Sequence, residues 1–75
     1  MNATKSENVR TYEQVLAERD LAAHALYEAE LALHDAHQTH VDEWIQATSD
    51  RLHAAVVRYM ATDKLARQLQ LRTAA

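Results

Sequence analysis

The chain has 75 residues, 48% apolar and 25% charged, with a net charge of −3. That length suits one domain, near the size where a single core is marginal and oligomerisation supplies the missing burial. It has no Gly, Pro, Cys or Phe, which excludes a disulfide scaffold, thiol chemistry and a Gly-rich phosphate loop.

The apolar share is too high for a disordered tail. No apolar run approaches the roughly 18 residues of a membrane span, and the amino terminus lacks the h-region of a signal peptide. A soluble, cytoplasmic protein is the expectation. Ala, Leu, Glu, Gln and Arg are strong helix formers, and the usual turn residues are missing. The fold class is therefore all-α, with one helical domain over residues 1–75.

Thr4-Lys5-Ser6-Glu7 has the form of a capping box and predicts a helix over about 6–37. From about Val9, an apolar stripe follows through Val15, Ala22, Leu26, Ala29, Leu33 and Ala36. It repeats at three, four and seven residues, as a buried helix face does. Ala22, Ala29 and Ala36 recur every seventh residue, with Ala25 and Ala32 offset by three. Such small side chains predict close helix packing, toward the short end of 8–10 Å between axes, and leave no room for a cofactor.

A second stripe holds Val41, Ile45, Leu52, Val56, Tyr59 and Ala66, flanked by Trp44, Leu65 and Leu69. On one straight helix it would lie roughly 100° from the first. The mismatch predicts a turn near 38–40 and a second helix over about 41–72. Thr39 is the expected cap, with Asp42 and Glu43 in the first turn beside the positive end of the helix dipole. Thr48-Ser49-Asp50 offers a competing break, and a single unbroken helix is the other alternative.

The resulting shape is a long antiparallel helical hairpin. Leu16, Ala23 and Tyr27 lie beside the first stripe, and Val57, Met60 and Leu71 lie off the second. These six form a candidate second interface, and surplus apolar faces of this kind predict pairing into a four-helix bundle. Val15, Ala22, Leu26, Ala29, Leu33, Ala36, Ile45, Leu52, Val56 and Tyr59 are the expected core and interface. Trp44, Tyr12, Tyr27 and Tyr59 read as anchors of such contacts, in preference to platforms for stacked bases. The outline resembles that of small bacterial helical-hairpin dimers such as the plasmid-encoded Rop type. That likeness is one of shape, and shape does not fix function.

Charge is uneven: three Lys/Arg face ten Asp/Glu in residues 1–50, against five and one in 51–75. Arg51, Arg58 and Arg72 fall at multiples of seven and line one edge of the second helix. Antiparallel pairing would bring Arg51 to Glu28, Arg58 to Asp20 and Arg72 to Glu7, selecting the fold as flanking charges do in coiled coils. The alternative uses of this row are contact with nucleic acid or with an acidic partner.

Five histidines occur, and His34, His37 and His40 cluster near Asp35 and Glu43. A metal- or pH-sensing role is the functional reading of that cluster, and polar loop residues the plainer one. Their spread over about 120° of helix leaves no closed ligand set, so no metal and no cofactor is expected. Ser6 and Ser49 read as helix caps, no nucleophile elbow exists, and no catalytic residue is assigned. The expected function is that of a small non-enzymatic regulator or adaptor, of the size of bacterial accessory proteins. Its expected partners are itself and another protein; the alternative is a nucleic-acid-binding regulator using the basic carboxy-terminal helix.

Overall fold

A computed structural model describes residues 10–74. Two helices, α1 (Tyr12–Thr39) and α2 (Asp42–Ala74), make up almost all of it and pack against each other as a hairpin. At 1.5 Å per residue the arms are about 42 and 50 Å long.

Thr11 starts α1. Its backbone is extended (φ −75°, ψ 164°), and its hydroxyl accepts from the Gln14 N–H at 3.1 Å. The Gln14 side-chain oxygen accepts in return from the Thr11 N–H at 2.8 Å. This reciprocal box satisfies two backbone donors that a helix start leaves without partners. Positions 10 and 11 lie outside any helix, so the expected continuous helix over about 6–37 is corrected to a described helix that starts at Tyr12, while Val9 and the Thr4–Glu7 box lie outside the described residues.

The turn is shorter than expected and sits slightly later, at His40 and Val41. His40 adopts the left-handed conformation (φ 58°, ψ 22°), and its N–H donates to the His37 carbonyl. Thr39 is the last residue of α1, not the cap of α2. Its hydroxyl donates to the Ala36 carbonyl at 2.6 Å and accepts from the Val41 N–H at 3.3 Å, bracing the turn. Val41 stands at the start of α2, where its carbonyl accepts from Trp44 and Ile45. Asp42 and Glu43 then favour the dipole by charge alone.

Thr48-Ser49-Asp50 does not interrupt α2. The Thr48 hydroxyl folds back on the Trp44 and Ile45 carbonyls, and the Asp50 carboxylate accepts from Gln46. With those groups satisfied locally, nothing there competes with the helix.

The core is a narrow seam. Val15, Ala22, Ala29 and Ala36, spaced by seven, are buried on α1, and Ala66 on α2. Leu26, Leu33, Ile45, Leu52, Val56 and Tyr59 are half-buried beside that seam, while Val41, placed in the turn, is exposed. Among the described residues every buried one but Val15 is an alanine, which lets the helices approach closely but removes little apolar area from water.

Candidate functional site

The two helices lie side by side in a single layer, so the hairpin has two broad flanks that neither helix covers. Their composition follows from the helix period. On α1 the seam row is 15, 22, 29 and 36; on α2 it is 45, 52, 59 and 66. Positions one and five after a seam residue lie about 100° and 140° around the helix, on the same side. Because the helices are antiparallel, this one sense of rotation leads to the same flank on both. Arg19 and Asp63, each four positions after a seam residue, meet there at 3.1 Å, twenty-two positions either side of Val41. That contact sets the register.

The first flank gathers all six residues of the candidate second interface. Leu16 is half-buried; Ala23, Tyr27, Val57, Met60 and Leu71 are exposed. Tyr27 is 59% and Met60 64% exposed, although both belong to residue types that favour burial. Beyond them, toward the open end, Asp63 holds Arg19 and also Arg67, whose Nε lies 2.9 Å from it.

The opposite flank carries Trp44, 58% exposed, beside a shallow cleft of about 430 Å³. Ala32, Ala36 and Ala47 form its apolar lining, with Thr39, Thr48 and Asp35 at the edges. The sequence reading has Trp44 as a contact anchor but not the cleft. The signal for it was the facing row of alanines, which cannot fill the space beside an indole.

Arg51, Arg58 and Arg72 are exposed along this second flank, and among the described residues the expected pairs Arg51–Glu28 and Arg58–Asp20 do not form. Among the described residues the only ion pair between the helices is Arg19–Asp63, which runs against the expected polarity: the base comes from the acidic arm. Asp20 lies on the flank away from Arg58. Glu28 shares the flank of Arg51, but both rows diverge from the seam, and its Oε1 stands 3.4 Å from His24 Nε2 instead. The third expected partner, Glu7, lies outside the described residues.

His34, His37 and His40 border a second hollow of about 300 Å³ together with Gln38, whose amide lies 3.3 Å from the His34 ring. Among the described residues no three His, Asp or Glu side chains converge as metal ligands. His40 is instead the residue that closes the turn. No described helix is long and apolar enough to cross a membrane.

Comparison with protein-family models, with curated proteins and with solved structures yields no match for this chain. The functional reading therefore stands on the two flanks alone.

Proposed function

We propose that this protein is a small self-associating helical regulator or adaptor that acts through protein–protein contacts and performs no chemistry itself. One observation carries the reading. Among the described residues the hairpin buries only Val15 and four alanines, while Leu21, Tyr27, Trp44, Val57, Met60 and Leu71 each remain more than half exposed. Stable domains cover apolar faces with a second layer, and a one-layer hairpin has to obtain that layer from another chain. Sedimentation equilibrium at micromolar concentration tests it, with an assembly heavier than 8.5 kDa as the expected result. A compact, stable monomer over that range contradicts the proposal.

The nucleic-acid reading keeps a place because Arg51 and Arg58 are exposed and form none of the ion pairs expected of them. A row of cations at seven-residue spacing suits a phosphate backbone, and such binding weakens steeply with salt. An electrophoretic shift with DNA and RNA at two salt concentrations decides it. Salt-sensitive binding favours this reading over an adaptor of proteins.

A further inference from the structure

We propose that two copies stack through the flank bearing Trp44 and the arginine row, with both turns at one end, so that each α1 lies over α2 of the other copy. The inference rests on the self-association proposed above and adds its face and its geometry. Charge selects the face. Positions three and six after a seam residue turn toward this flank on both helices. On α1 these two rows hold Glu18, Glu28 and Asp35 and no base; on α2 they hold Arg51, Arg58 and Arg72 and no acid. Glu18 already binds Arg10, and Glu28 meets only His24, which is a cation only when protonated. The flank of Tyr27 and Met60 has no such division, since Arg19 and Asp20 stand there on α1, and Asp63 and Lys64 on α2. The Trp44 flank is thus acidic on one helix and basic on the other, which makes it complementary to a two-fold copy of itself.

Two-fold stacking of hairpins has two simple forms. With turns at opposite ends α1 covers α1 and α2 covers α2, which sets acid on acid and base on base. With turns at the same end acids cover bases twice over, so charge separates the two forms. In that second form the two-fold axis runs parallel to the helices and allows no slide along them. Levels across the contact are then those within one hairpin, where Arg19 and Asp63 show that positions equally far from Val41 stand level. Arg51, 10 positions after Val41, falls between Asp35 and Glu28 of the second copy, 6 and 13 before it. Arg58, 17 after, falls between Glu28 and Leu21, 13 and 20 before. Leu65, 24 after, falls between Leu21 and Gln14, 20 and 27 before. Bases therefore enter between acids, and leucine meets leucine. Inside these edge rows Ala25, Ala32, Ala55 and Thr62 are small and half-buried, so the two layers approach closely. Trp44, 3 after Val41, comes level with Asp35 and Thr39 of the second copy, on the rim of the cleft that its own alanines leave unfilled. Each indole closes the cleft of the other copy, an aromatic anchor in a pocket.

Reversing the rows tests the arrangement on the full chain. Arg51→Glu with Arg58→Glu places acid on acid at both symmetry-related edges, and Glu28→Arg with Asp35→Arg places base on base. Each double variant should dimerise about tenfold or more weakly than the wild type. Mixed in equal amounts, the two are complementary at both edges and should pair with an affinity close to that of the wild type. If a double variant loses its helix when alone, recovery of helix on mixing is the expected result. The chain has no cysteine, so Ala32→Cys adds a single thiol beside the two-fold axis. A short thiol-specific crosslinker should join it to its own copy, and should not join Ala23→Cys on the other flank. A wild-type chain that stays monomeric overturns both the self-association and this geometry. A wild-type dimer that neither double variant weakens, whose variants do not recover on mixing, or that crosslinks at position 23 and not at 32, overturns the geometry alone. So does a dimer left intact by the arginine reversal while salt-sensitive binding of DNA or RNA is lost, which gives the row to nucleic acid.

Discussion

His40 closes the hairpin in a conformation that residues with a Cβ adopt at a cost. A left-handed φ of 58° brings the Cβ close to the following carbonyl, and glycine is the usual residue at this position after a helix. His40→Gly removes that contact, while raising the conformational freedom of the unfolded chain, which offsets part of the gain. The expected net result is stabilisation by up to about 1 kcal/mol, and His40→Val should destabilise by a comparable amount. Urea denaturation of the three proteins checks the order. The turn was legible in the sequence only to within a few residues, because a chain without glycine gives no marker of the left-handed position. The helix start was written plainly in Thr11-Tyr12-Glu13-Gln14, yet Thr4-Lys5-Ser6-Glu7 has the same form, and local pattern alone does not rank two such boxes.

At the level of the helices, the seven-residue row of Val15, Ala22, Ala29 and Ala36 was fully readable, because a buried row must keep its period. The cross-helix partners were not. Each residue by which a turn moves shifts every partner by two, so a small displacement of the turn is enough to separate Arg51 and Arg58 from their expected acids. Which flank a rim residue occupies follows instead from the helix period and the antiparallel order, which is why the sequence already places Tyr27 and Met60 in one candidate interface. The alanine row leads to a direct expectation. Ala29 is fully buried midway along α1, where a larger side chain has no space unless the helices separate. Ala29→Leu should cost about 1–3 kcal/mol by overpacking, despite the greater apolarity of leucine. Ala17→Leu, at an exposed site on the outward side of the same helix, should leave the stability of the hairpin nearly unchanged. Thermal melting of both variants separates the two; equal effects contradict a close-packed seam.

For the whole molecule the central fact is that folding and association draw on the same small store of apolar surface. Leu26 and Leu52 are only half-buried within one hairpin, and Leu26 borders the flank that carries Tyr27 and Met60. Leu26→Asp therefore places a charge beside the seam and next to an apolar flank, where it lacks a partner. Loss of helix by circular dichroism at micromolar concentration is expected; a fully helical variant contradicts it. Arg58 gives the opposite case. It is exposed, and forms none of the ion pairs found among the described residues, so its charge contributes little to the fold. Arg58→Glu should change the unfolding free energy of one hairpin by no more than about 0.5 kcal/mol. Any biological effect of this substitution then reports on what meets its flank, a second copy or an external partner. If the partner is nucleic acid, a salt-sensitive shift is abolished; if it is a protein, the loss appears in its capture and persists after nuclease treatment. A destabilisation well above 1 kcal/mol would instead mean that Arg58 binds an acid of its own hairpin in solution, and that the row serves the fold.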